Sequence, residues 1–265
     1  MSYAIITGAS KGLGKAISEE LASRGYDLLL VARSENLLEA AATELKKKYS
    51  INVFFFPCDL TLPGAPQKVY DWCNNQNFEI NILINNAGYA VWGLFETRTL
   101  EDQLNLMQLN MNALVALSHL FIPTLKKNKK AWLLNVSSTA AFQAVPTMAV
   151  YSASKAFVLT FTRALNFELK TSPVHVSCLI PGAVETHFME RAKMDAMKSY
   201  AEKFNMSPQL VAKIAVNAMF KNKLEIIPGF SNRFSAIGTK LLPKKLVEKI
   251  AAGIYLDTLK KSSRL

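Results

Sequence analysis

The sequence predicts an α/β protein: a doubly wound parallel sheet of about seven strands with helices on both faces. Three observations carry this. Short apolar runs alternate with helical stretches from Tyr3 to Ile180. The runs are apolar at nearly every position, as in Asp27-Leu-Leu-Leu-Val31, which a sheet covered on both faces requires. The first run, Tyr3-Ala-Ile-Ile-Thr7, leads straight into Gly8-Ala-Ser-Lys-Gly-Leu-Gly14 and a helix. In that setting glycines let a phosphate approach the backbone, and the helix N-terminus offers it free N–H groups.

The elements follow in order. After the glycine turn, Lys15 to Arg24 is helical and Gly25 closes it as a C-cap. Strand 27–31 ends beside Arg33, with Ser34 able to cap a helix from Glu35 to Lys48. Asn52 to Phe56 is the third strand and Asp59 follows it; Pro63 and Pro66 open a helix to about Asn75. Ile80 to Ile84 is the fourth strand, ending in Asn85-Asn86-Ala87-Gly88, and a long helical pattern runs from Leu100 to Lys127. Ala131–Val136 is the fifth strand, Ala149–Lys170 a helix, and Val174–Ile180 the sixth strand, followed by Pro181-Gly182. Ser207-Pro208 begins another helix, Leu224–Ile227 is a last short strand, and Leu246, Val247, Ile250 and Ile254 mark an amphipathic C-terminal helix.

The chemistry centres on residues 138–155. Tyr151 and Lys155 are four apart on one helix and therefore share a face. A nearby ammonium favours a phenolate, so Lys155 is expected to lower the Tyr151 pKa toward neutrality. Ser138 lies just past the end of strand 131–136, where open α/β sheets place their sites.

Composition bounds the rest. Of 265 residues 50% are hydrophobic and 19% charged, which excludes a disordered chain and suits one domain over 1–265. No apolar run reaches the ~18 residues of a membrane span; Ala113–Leu125 comes nearest and contains Ser118, His119 and Pro123. The first strand starts at once, so no signal peptide is expected. Cys58, Cys73 and Cys178 have no metal-ligand spacing, no metal is expected, and Cys58 and Cys178 read as buried thiols. A cytoplasmic location is expected. The net charge of +11 comes with no nucleic-acid module, and from Lys240 to Leu265 there are seven basic residues against two acidic ones.

Together these motifs resemble the short-chain dehydrogenase/reductase family, in the branch with a single Rossmann domain, over roughly Tyr3 to Thr186. Thr7-Gly-Ala-Ser-Lys-Gly-Leu-Gly14 resembles its Thr-Gly-x-x-x-Gly-x-Gly cofactor loop, and Asn85-Asn-Ala-Gly88 its Asn-Asn-Ala-Gly element. Ser138, Tyr151 and Lys155 fall on its catalytic serine and Tyr-x-x-x-Lys pair; Pro181-Gly182 with Thr186 resembles its nicotinamide-embracing segment. The family's helical asparagine has two candidates, Asn110 and Asn112. Asn110 is preferred because Ala113 stands three residues on, where the family places a small residue.

The resemblance implies hydride transfer between a nicotinamide and a carbonyl or alcohol. Asn110, Ser138, Tyr151 and Lys155 would be catalytic. Gly8, Ser10, Lys11, Gly12, Leu13, Gly14, Arg33, Asp59, Leu60, Asn86, Ala87, Gly88, Tyr151, Lys155, Pro181, Gly182, Val184 and Thr186 would hold the cofactor. Lys11 and Arg33, with no acidic residue at the second strand's end, favour NADP(H) over NAD(H). Residues 183–206 would be a substrate lid. Its Phe188, Met189, Met194, Met197, Tyr200, Phe204 and Met206 suit a bulky apolar substrate or, alternatively, packing of the lid onto the core, with Glu190, Arg191, Lys193, Asp195 and Lys198 solvated.

Of His119, His175 and His187, only His187 could line the pocket. Residues 231–265 form a basic extension, expected to pack on its own domain or a twin subunit in a homodimer or homotetramer rather than on a membrane. The competing functional reading is a catalytically silent NAD(P)-sensing or membrane-surface protein on the same fold. Intact Ser138, Tyr151 and Lys155 favour redox chemistry.

Overall fold

The computed structural model describes residues 2–185, 188–192, 194, 197 and 205–262. The first half alternates β1 (Tyr3–Thr7), α1 (Gly12–Ala22), β2 (Asp27–Ala32), α2 (Glu35–Tyr49), β3 (Val53–Pro57), α3 (Ala65–Asn75) and β4 (Ile80–Asn85). Next come α4 (Leu100–Met107), a π-helical turn (Gln108–Ala113), α5 (Leu114–Leu125), β5 (Ala131–Val136), α6 (Ala149–Glu168) and β6 (Val174–Leu179). The chain ends in α7 (Phe188–Arg191), α8 (Pro208–Phe220), β7 (Glu225–Ile226), α9 (Phe230–Leu241) and α10 (Lys244–Ser262). Ser207 caps α8 by accepting from the Leu210 N–H at 3.3 Å, and Pro208 occupies the first turn, where its missing N–H costs nothing.

The strands pair in the order β3-β2-β1-β4-β5-β6-β7, all parallel. Side chains alternate between two apolar layers, because successive residues of a strand point to opposite faces. Ala4, Ile6, Leu28, Leu30, Ile82 and Ile84 pack with Ile17, Leu21, Leu38, Leu45 and Val216 of α1, α2 and α8. Ile5, Leu29, Val31, Leu83 and Leu133 pack with Val69, Leu117, Phe121 and Leu165 of α3, α5 and α6. The strand order reverses beside β1, between β2 and β4, so the crevice of a doubly wound sheet opens at the carboxyl ends of β1 and β4.

Local structure differs from the sequence reading in places. Ser34 stands at the N-cap of α2 but its side chain makes no capping bond. The run 100–127 is not one uniform helix: the π turn inserts between α4 and α5. Such turns frequently mark functional sites, and this one carries Asn110. Taken as one run, Leu100–Leu125 is 26 residues long with a mean hydropathy of 1.2, long and apolar enough to cross a membrane, which corrects the expectation that no stretch reaches that length. In the fold it is a core element: α5 lies on β4 and α3, and Phe121 and Leu125 are fully buried. Cys58 is half-buried rather than buried, while Cys178 is fully buried.

Candidate active site

The glycine turn is built by backbone need. Gly8 and Gly12 have φ of +68° and +54°, a region glycine enters without a Cβ penalty. A Cβ on Gly14 would lie 2.2 Å from the Gly8 carbonyl oxygen, so only glycine lets the loop fold back on itself. Asn86 clamps the loop from β4: its Nδ2 donates to the Thr7 carbonyl at 2.8 Å, and the Thr7 hydroxyl accepts from the N–H groups of Asn86 and Ala87 at 3.0 Å each. Behind it, Asn85 Nδ2 donates to Ser118 Oγ at 3.0 Å and Asn135 Oδ1 at 2.9 Å, tying β4 to α5 and β5. The N-cap of α1 is Lys11, a side chain with no acceptor to offer, and no side-chain bond caps the helix. Uncapped first-turn N–H groups facing a cavity fit a dinucleotide pyrophosphate.

That cavity, about 1100 Å³, is continuous from the glycine turn to the C-terminal helices. Among the expected cofactor residues, Gly8, Ser10, Lys11, Gly12, Leu13, Gly14, Arg33, Asp59, Leu60, Asn86, Ala87, Gly88, Pro181, Gly182 and Val184 line it, as do Ser138, Tyr151 and Lys155. Thr186 and His187 lie outside the described residues, as do Lys193, Asp195, Lys198, Tyr200 and Phe204. Arg33 is 55% exposed and meets Asp59 Oδ2 at 3.7 Å, a loose pair that leaves the guanidinium available. Hydrogen bonds from the Thr61 N–H and hydroxyl, at 3.0 and 2.7 Å, outweigh partial burial and hold the Asp59 carboxyl below its usual range.

Tyr151 and Lys155 share one face of α6, with the ammonium 5.8 Å from the ring centroid, and both are buried. Lys155 Nζ donates to the Val136 carbonyl at 2.9 Å, and Ser137 Oγ donates to the Lys155 carbonyl at 2.7 Å, fixing α6 to the end of β5. The Thr139 N–H donates to the Pro181 carbonyl at 2.9 Å, joining the Ser138 turn to the segment after β6.

The expected lowering of the tyrosine pKa is corrected. Burial pushes the Tyr151 phenol up to about 12, opposed by the hydrogen bond from Ser138, while the Tyr255 phenol nearby adds to the rise. Burial also lowers Lys155 to about 8. Removing each charge from water costs more here than the lysine returns to the phenolate. The resting pair is therefore a neutral phenol beside an ammonium that titrates near physiological pH.

Asn110 sits behind the cavity wall, 1% exposed. Its Nδ2 donates to the Tyr89 carbonyl at 3.0 Å and Ser154 Oγ at 3.1 Å, and its Oδ1 accepts from the Tyr89 N–H at 3.1 Å. A Cβ on Gly88 would meet Asn110 Oδ1 at 3.0 Å and Lys155 Nζ at 3.4 Å, so the absence of a side chain at Gly88 keeps these two groups close. Asn112 points away and is exposed, with its amide donating to Gln108 Oε1 at 2.7 Å.

Residues after β6 and the C-terminal helices supply the apolar half of the cavity. Val184 and Met206 bridge in parallel, closing the base of the 183–206 segment. Phe188 lies 5.7 Å from the Tyr151 ring, and Met194 and Met197 are buried against Trp92, Val145 and Met148. Met206 departs from expectation: it packs on the α1–α2–α8 layer, with its sulfur against Gly229, and does not line the cavity. Sequence reasoning missed Val145, Met148, Asn232, Ile254 and Tyr255 as cavity residues. The 247–250–254 periodicity signalled an apolar face on α10 but not what it covers.

A parallel sheet with a glycine turn at its switch point, and a serine, tyrosine and lysine gathered beside it, is the site architecture of an oxidoreductase family. The short chain dehydrogenase family model matches residues 2–196, and the chain belongs to that family. It is similar to 17-beta-hydroxysteroid dehydrogenase type 3 of Homo sapiens, 33% identical over 76% of this chain and 65% of that one. Very-long-chain 3-oxoacyl-CoA reductase of Mus musculus is 30% identical over the same shares, 76% and 65%. The chain thus spans under two thirds of the length of these relatives. A short-chain dehydrogenase from Sphingobium yanoikuyae, in complex with NADPH, superposes with a TM-score of 0.82 at 32% identity, covering 91% of this chain and 93% of that one. The expected cytoplasmic location is overturned: it does not stand beside the likeness to these two relatives, and Leu100–Leu125, long and apolar enough to cross a membrane, removes the other ground for that reading.

Proposed function

We propose that the protein interconverts a bulky, apolar carbonyl compound and its alcohol, with NADP(H) preferred over NAD(H). The observation that carries this is the position of Ser138, Tyr151 and Lys155 at the junction of one cavity's two halves. One half is lined by the glycine turn and Arg33, the other by Val145, Met148, Phe188, Met194, Met197 and Ile254. A bound nicotinamide supplies or accepts the hydride. The hydroxyls of Ser138 and Tyr151 hold the substrate oxygen as it gathers negative charge. Tyr151 passes its proton to that oxygen in reduction, and the Lys155 ammonium stabilises the phenolate that remains. Asn110 holds the wall behind Lys155 and, in this reading, the route by which protons return from solvent.

The preference for NADP(H) is supported by Lys11 in the glycine turn and Arg33 at the end of β2, with no acidic side chain on that strand's exit. We read residues 1–265 as one cofactor-binding domain, with 183–206 as its substrate lid. Homo-oligomers are part of the proposal: Leu100 and Leu104 of α4, 68% and 53% exposed, and Phe157 and Phe167 of α6, 36% and 71%, offer an apolar face for a second subunit.

A homologous series of ketones, followed by NADPH absorbance, tests the substrate class. The kcat/KM is expected to climb several-fold with each added methylene, because each buries more apolar surface. A flat series, or one that falls from the shortest member, overturns the apolar reading while leaving the redox assignment intact.

A further inference from the structure

The C-terminal helices present an apolar face that extends beyond the cavity. On α9, Phe230, Phe234, Ile237 and Leu241 recur at intervals of four, three and four, which aligns them along one side of a helix. They are 85%, 71%, 54% and 79% exposed. Leu242, Leu246 and Ile250 extend the patch onto α10 at 45%, 45% and 52%. Globular surfaces rarely leave so many large apolar side chains together unless something covers them.

The face belongs to an anchored element. The opposite sides of the same helices bury Ala236, Val247 and Ala251. Asn232 Nδ2 donates to the Pro228 carbonyl at 2.7 Å and Arg233 Nε to the Ile227 carbonyl at 2.9 Å.

Charge identifies what covers the face. Between 230 and 250 the sequence places Arg233, Lys240, Lys244, Lys245 and Lys249 against one acid, Glu248. Arg233 runs beside the α9 stripe, and Lys245 and Lys249 beside Leu246 and Ile250. A second copy docked through the same face would set one basic rim against another with a single acid, Glu248, on each side to offset it. An anionic lipid surface accepts the apolar stripe and offsets every cation in its rim.

We propose that the α9–α10 face docks onto an anionic bilayer surface, seated in the interface rather than spanning it. Phe234, Leu242 and Ile250 of this face also line the cavity, so the mouth of the site opens toward the acyl region. An apolar substrate would then enter from the bilayer without crossing water. That route rests on the substrate class proposed above; the docking does not.

The test uses the full chain, without substrate, in flotation with phosphatidylcholine–phosphatidylserine vesicles and with pure phosphatidylcholine vesicles. Binding is expected to the anionic vesicles only and to weaken as salt rises. Phe230→Ser combined with Leu241→Ser, neither in the cavity wall, should abolish it. Lys245→Glu combined with Lys249→Glu should weaken it by more than about 25-fold, since each lysine near such a surface contributes about fivefold. Circular dichroism melting checks that both variants fold, and the lysine pair stands as the test if the apolar pair does not. No binding by the wild type, equal binding to neutral vesicles, or folded variants that bind as the wild type does would each overturn the proposal. So would light scattering that shows a dimer falling to monomer in the apolar variant, which would make this face a subunit interface.

Discussion

Tyr151→Phe removes one oxygen atom and separates the proposed roles of the site. The ring keeps its place against Phe188 and in the apolar cluster with Trp92, Val145 and Met148. The variant should therefore fold, losing one hydrogen bond with Ser138 and about 1 kcal/mol, or roughly 2–4 °C in melting temperature. Two catalytic terms vanish together. Loss of one of two donors to a developing oxyanion costs about 10²–10³ in kcat. Loss of the proton donor costs about 10²–10⁴. Tyr151 is only 7% exposed, so water cannot readily take over either task. Terms that share one group do not add, so the expected fall is about 10³–10⁴ rather than their product. The assay is NADPH oxidation with a bulky ketone, paired with calorimetric titration of the cofactor. NADPH affinity should stay within a few-fold. A variant that kept more than a tenth of wild-type kcat would refute the assignment of Tyr151 as proton donor.

Lys155, lowered to about 8 by burial, is charged below that pH and neutral above it. Carbonyl reduction should then be fastest below pH 8 and fall about tenfold per unit above it, as the ammonium that stabilises the phenolate is lost; an unchanged rate–pH profile in Lys155→Met would contradict this. Arg33→Asp should cost roughly 10- to 100-fold in NADPH affinity and swing preference to NADH, the scale of losing charge-assisted hydrogen bonds; calorimetry with both cofactors decides it, and equal affinities in the wild type would remove the premise. Gly14→Ala forces a Cβ to within 2.2 Å of the Gly8 carbonyl oxygen and should cost about 1–3 kcal/mol along with cofactor binding. A melting temperature and a cofactor titration matching the wild type would show that the loop opens without penalty.

What the sequence determined by itself is what local pattern encodes. Continuous apolar runs specify strands covered on both faces; the spacing of Gly8, Gly12 and Gly14 specifies a turn only glycine can make; and four residues between Tyr151 and Lys155 place them on one helical face. Each depends on neighbours in the chain, so each was legible without a partner.

The tertiary structure decided everything that depends on what lies opposite. Ser34 has capping chemistry, yet its hydroxyl makes no capping bond. Met206 has the composition expected of a cavity residue, yet the bridge to Val184 leaves it packed on the far layer. Tyr255 reached the site only because α10 folds back across the cavity mouth. The direction of the Tyr151 pKa followed the same logic. The i, i+4 lysine is local and argues for a lower value, but burial beneath Phe188 and α10 is a property of the whole fold, and desolvation of the phenolate outweighs the local charge. Periodicity encodes which face of a helix is apolar; only packing determines what that face covers.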